Sequence, residues 1–102
     1  MTFSEKQKEI MQEALSTYGF NAQCDIAIEE MSELTKAIIK FRRYGTTKEY
    51  TNLCEEIADV AIMIEQLWLA TKNIEVASIV GEKLDRLEKR LFEAKAGATN
   101  GN

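Results

Sequence analysis

The stretch IEEMSELTKAIIKFRRYGTTKE, residues 28–49, contains one helix, its end and the start of the next. Apolar residues recur along its first part at helical spacing, while three carboxylates, Glu29, Glu30 and Glu33, crowd into a single turn beside them. Like charges three and four apart on a helix repel each other, so this crowding needs a reason. Gly45 can end the helix, and Thr46-x-x-Glu49 has the pattern of a capping box that opens another.

The helices on either side of that turn match. One has an apolar seam of Ala27, Met31, Leu34, Ile38 and Phe41; the other has Leu53, Ile57, Val60, Ile64 and Leu67. Both step four, three, four, three, the spacing of a bundle seam. The second series is the first moved along by 26 positions, and the carboxylates move with it: Glu29 to Glu55, Glu30 to Glu56, Glu33 to Asp59. At about 100° per residue, Glu30 and Glu56 lie roughly 60° from their seams and Glu33 and Asp59 roughly 120°, on the same side. Glu29 and Glu55 point nearly opposite. A chain folded at RRYGTT brings the two pairs to one level of an antiparallel hairpin, with four carboxylates beside an apolar seam.

Such a group is unfavourable without a cation, because charges at a partly buried site must be paired or protonated. Oxygen donors suit a hard divalent ion such as Mg²⁺. The chain has no histidine and only two cysteines, Cys24 and Cys54, which argues against zinc and excludes Ser-His-Asp and Cys-His catalysis. The cysteines read as buried reduced thiols. An isolated E-x-x-E is ordinarily a solvated face; two in register about a turn, both flanking the seam, point to metal.

The remaining punctuation completes an all-α chain. Thr2-x-x-Glu5 and Gly19 bracket a first helix, Asn21 can cap the second, and Asn73 can start a fourth whose heptad-like pattern lasts to about Ala94. The expected fold is a four-helix bundle-like protomer around the central antiparallel hairpin. One domain spans residues 1–95, and 96–102, ending in GATNGN, form a disordered tail. A net charge of −4 argues against nucleic-acid partners. No apolar run approaches the roughly 20 residues of a membrane span. The charged N-terminus MTFSEKQKEI is unlike a signal peptide, so a cytoplasmic location is expected.

Glu29-Glu30-x-x-Glu33, followed after 22 residues by Glu56-x-x-Asp59, resembles the signature of the MazG-like all-α nucleoside triphosphate pyrophosphohydrolases, which are related to dimeric dUTPases and phosphoribosyl-ATP pyrophosphohydrolase. The resemblance covers about residues 20–92. It implies that Glu30, Glu33, Glu56 and Asp59 bind Mg²⁺, with Mn²⁺ as a substitute. It further implies that Glu33 and Glu56 serve catalysis, and that an NTP or dNTP is split into NMP and pyrophosphate. GEKLDRLEKRL is similar to a later Lys/Arg element of the family that contacts phosphate, with Lys83 and Arg86 as the matching positions.

Helix four's own seam of Ala77, Val80, Leu84, Leu87 and Leu91 turns Lys83 and Arg86 outward, so they either reach a site across an interface or serve solubility. Lys36 and Trp68 are further candidates for nucleotide contact, with plainer readings as an exposed helix lysine and a core ring, and the resemblance adds Gln23, which precedes the first pair where relatives often read the nucleotide. Ile28, Ile39, Ala58, Ile62 and Leu69 fall off the seams, and a monomeric hairpin cannot bury them all. Association through helices, as homodimer or homotetramer, follows. Two functional readings stand: a Mg²⁺-dependent pyrophosphohydrolase, or a helical nucleotide-binding or regulatory protein without turnover.

Overall fold

The computed structural model describes residues 2–71 and 74–100. Four helices follow in order: α1 (Glu5–Tyr18), α2 (Phe20–Tyr44), α3 (Thr47–Ala70) and α4 (Ile74–Asn100). The described residues contain no strand, so the fold is all-α as expected. No helix among them is long and apolar enough to cross a membrane. The chain divides into two units, Met1–Ala70 and Thr71–Asn102, where the sequence pattern suggests one domain over 1–95.

The start of α1 differs from expectation. Ser4 is its cap: the Gln7 backbone N–H donates to Ser4 Oγ at 3.1 Å, and the Ser4 N–H donates to Gln7 Oε1 at 2.8 Å. This reciprocal box satisfies two otherwise orphaned donors and leaves Glu5 in the first turn, at the positive end of the helix dipole. Thr2-x-x-Glu5 is therefore not the box. At the other end only Gly19 interrupts the helix, at φ 91° and ψ 156°. Because α2 begins at Phe20, Asn21 lies inside it and caps nothing.

The turn that organises the first unit is as the sequence indicates. Gly45 ends α2 in the left-handed conformation, φ 62° and ψ 20°, and its N–H donates to the Phe41 carbonyl at 2.8 Å. Thr46 Oγ1 then accepts from the Glu49 N–H at 3.2 Å. Two residues between helices of 25 and 24 residues force α3 back along α2, so the pair is antiparallel over roughly 36 Å. The Phe41 and Tyr50 rings meet across this end, centroids 5.9 Å apart.

The buried stripe is rotated from the expected seam. On α2 the inward positions are Gln23, Ala27, Glu30, Leu34, Ala37 and Phe41; on α3 they are Leu53, Glu56, Val60, Met63 and Leu67, with Gln66 beside them. Met31, Ile38, Ile57 and Ile64 are exposed, although the size of their side chains marks them for the core. Ala27 stays inward as expected, and Ala37 rather than Ile38 is buried beside it, each alanine being 1% exposed. Alanine lets two helices approach closely where a large side chain holds them apart. The rotation carries Glu30 and Glu56 from beside the seam into it.

α1 packs against both helices of the hairpin. Its Ile10 and Met11, with Phe3 and Gln7, border an apolar groove completed by Ile62 of α3. In the second unit, α4 is a 27-residue helix that runs to Asn100, six residues past Ala94, where the pattern alone suggests a disordered tail. Ala94, Ala96 and Ala98 favour the helical state there. Its seam of Ala77, Val80, Leu84, Leu87 and Leu91 is exposed. The expected start at Asn73 lies outside the described residues, as do 101 and 102.

Gly19 and Gly45, the positive-φ glycines among the described residues, make a stability test. A Cβ on Gly45 would meet only the Phe41 carbonyl oxygen, at 4.0 Å, and one on Gly19 would meet nothing within 4 Å, so only backbone strain is at stake. Gly45→Ala is expected to cost about 1 kcal/mol, lowering Tm by about 4–8 °C. Gly19→Ala, in a region essentially reserved for glycine, should cost more, up to about 3 kcal/mol. Thermal melts of the two variants check the order.

Candidate metal centre

α2 supplies Glu30 and α3 supplies Glu56 and Asp59. Their convergence follows from the turn: Glu30 precedes Gly45 by 15 residues and Asp59 follows it by 14. The i, i+3 spacing of Glu56 and Asp59 sets both on one face of α3. One carboxylate oxygen from each of the three lies within 4.8 Å of the others. Glu30 and Glu56 are half-buried and Asp59 is exposed, so the group opens to solvent on the Asp59 side.

Glu56 Oε2 is withdrawn from water and has no hydrogen-bond partner among the described residues. Partial burial pushes the Glu56 carboxyl above its ordinary value, with Asp59, Glu33 and Glu55 adding to the rise. Glu30 is raised the same way, first by burial, then by Asp59 and Glu56, with smaller contributions from Glu29 and Glu33. A buried carboxylate oxygen lacking a donor, next to two other anions, favours taking a proton or a cation. An all-oxygen donor set suits Mg²⁺, Mn²⁺ or Ca²⁺ rather than zinc.

Of the four carboxylates expected to converge, three do so. Glu33 lies one turn from Glu30, but its Oε1 is 3.7 Å from Lys36 Nζ, and it stands outside the group of three. A flexible, half-exposed side chain with a lysine three residues on has an alternative to its acidic neighbours. Glu29 and Glu55 are exposed, in keeping with their outward direction.

The other candidates are dispersed. Lys36 is exposed and engaged with Glu33. Trp68 is half-buried and borders an apolar groove with Phe3, Ala61, Ile64 and Glu65. Lys83 and Arg86 are exposed on α4, in the second unit. Gln23 is 3% exposed, and its Nε2 donates to Gln66 Oε1 at 2.7 Å. Both cysteines are free, Cys24 half-buried and Cys54 exposed, so neither is the fully buried thiol expected.

Gln66 is the residue that sequence reasoning missed. Its signal was present: Gln23 and Gln66 are equidistant from the turn, as Glu30 and Asp59 are. Glutamine carries no seam signature, so only the register reveals it.

The chain matches no protein-family model, no curated protein and no solved structure.

The raised carboxyls fix the sign of a pH effect. Glu30 and Glu56 bind a proton more readily in the folded chain than at their ordinary 4.5. Their contribution to stability is therefore full below that value and is lost as pH rises through the raised folded values. In chelator, Glu56→Gln should flatten this decline and raise Tm at neutral pH. Melts of both proteins from about pH 4 to 8 measure the difference.

Proposed function

We propose that the protein is a Mg²⁺-dependent nucleotide pyrophosphohydrolase of the MazG-like all-α kind, cleaving an NTP or dNTP to NMP and pyrophosphate. The observation that carries this reading is the partnerless, buried Glu56 Oε2 among three carboxylates that a helix hairpin collects from two directions. Acidic side chains placed inside a helix interface, at the expense of larger apolar ones, fit a binding role better than a packing role.

In this reading Glu30, Glu56 and Asp59 hold the cation, which when bound would supply neutralising charge to phosphate oxygens. Glu33, one turn from Glu30, is assigned the task of orienting a water molecule and taking its proton. The water oxygen adds at the α–β anhydride, that P–O bond breaks, and NMP and pyrophosphate are the products. Lys36 lends positive charge next to Glu33, and Lys83 and Arg86 serve as phosphate contacts, from their own or a neighbouring subunit. Arginine suits that task through its planar pair of donors.

Self-association as homodimer or homotetramer belongs to the same proposal. Its support is the apolar surface that α2 and α3 leave outward, including Ile28 at 64% and Ile39 at 52% exposure. A binding-only reading draws on one observation, the pairing of the prospective base Glu33 with Lys36.

Pyrophosphate release from a panel of NTPs and dNTPs, with Mg²⁺, with Mn²⁺ and with EDTA, separates the two. NMP and pyrophosphate should form only with metal, and Glu56→Gln should lower the rate by about 100-fold or more, as loss of a direct ligand exceeds the 10- to 100-fold typical of outer partners. Orthophosphate as product, or metal-dependent nucleotide binding with no turnover, would sink the enzymatic reading. Sedimentation at micromolar concentration should show a dimer or tetramer, and a monomer would remove the oligomer from the proposal.

A further inference from the structure

The hydrogen bond between Gln23 and Gln66 joins two side chains that are 3% and 4% exposed, deep between α2 and α3. Gln66 Nε2 also donates to Met63 Sδ, at 3.7 Å, while Gln23 Oε1 has no partner among the described residues. As a packing arrangement this is poor. Two alkyl side chains of similar volume would fill the same space without burying amide groups, and such replacement is often neutral or stabilising.

The position of the pair suggests what it does. Gln23 lies seven residues before Glu30 and Gln66 seven after Asp59, so both amides sit two helical turns, roughly 10 Å, beyond the carboxylates on the same stripe. The hairpin is tied at its other end by Gly45, Thr46 and the Phe41–Tyr50 ring contact. Between these ends, Glu30 pushes against Glu56 and Asp59 across the helix interface. A heptad-like apolar seam resists that push weakly, because it can slide or splay and still bury its area. A buried amide pair cannot. A shift of one turn would set Gln23 opposite Met63 or Leu69, and Gln66 opposite Phe20 or Ile26, leaving amide groups buried with no partner.

We infer that Gln23 and Gln66 form a positioning clasp at the open end of the α2–α3 hairpin, fixing the register and separation at which Glu30 faces Glu56 and Asp59. This is the work of a buried asparagine in a coiled coil, specificity obtained at some loss of stability. The clasp is a property of the hairpin and stands apart from the metal reading. Only its effect on cation affinity rests on that reading.

The test compares Gln23→Leu, Gln66→Leu and the double variant with the parent chain. Nitroxide labels go on the native, exposed Cys54 of α3 and on Ser32→Cys of α2, in a Cys24→Ala background. Each single variant should melt below the parent, since one amide is then buried alone. The double variant should melt at or above the parent, yet show a broadened or lengthened α2–α3 distance distribution. Its Mn²⁺ affinity should fall at least tenfold while the fold is retained by circular dichroism. A double variant with the parent's distance distribution overturns the clasp, whatever happens to Mn²⁺. If the parent binds no Mn²⁺, the metal reading fails by itself and the distance distributions still decide the clasp. Should the double variant not fold, Gln23→Asn, too short to reach Gln66 Oε1, takes its place under the same criterion.

Discussion

Repulsion among Glu30, Glu56 and Asp59 is the constraint around which the first unit is organised. Left to themselves, three carboxylates within 4.8 Å of one another would drive α2 and α3 apart. The hairpin opposes this by covalent means at the turn, by close contact along the stripe, and by the amide pair at the open end. Partial burial sharpens the conflict, because the same interface that confines the charges also removes water from Glu56 Oε2. The result is a centre in which Glu30 and Glu56 hold protons more readily than ordinary carboxyls do.

The rotated seam links this centre to the surface. Bringing Glu30 and Glu56 inward requires that something else turn outward, and the residues displaced are Met31, Ile38, Ile57 and Ile64. The apolar exterior is thus not an independent feature of the chain. It is the other side of the rotation that assembles the acidic interior. A partner that covers this exterior would also hold the rotation in place.

Much of this was legible in the residues. The glycine at 45, the capping threonine after it and the repeat over 26 positions led to the antiparallel hairpin and to Glu30, Glu56 and Asp59 on one side. Helix starts were less legible. Ser4-x-x-Gln7 and Thr2-x-x-Glu5 overlap as capping patterns, and only the hydrogen bonds choose between them. The end of α1 at Gly19 was read correctly, but the break is this single residue, so α2 starts at Phe20 and Asn21 has no end to cap. The seam was misplaced in part for a physical reason: Ala27, Leu34 and Phe41 were read correctly, but periodicity weights large side chains such as Met31 and Ile38, whereas close helix approach selects Ala37. The departure of Glu33 toward Lys36 depends on rotamers, which spacing does not encode.

The hairpin has one more consequence, which concerns time rather than geometry. Gly45 and Thr46 are the entire connection between α2 and α3, so the contacts that collect the three carboxylates grow outward from the turn as each helix extends. Little loop-closure entropy opposes that zipper, and topologies dominated by such local contacts fold in microseconds to milliseconds. The acidic centre is contained within one continuous stretch of chain, Glu30 to Asp59, and needs no distant segment to arrive. Any ion that binds the closed hairpin and not the open chain stabilises that one stretch by mass action.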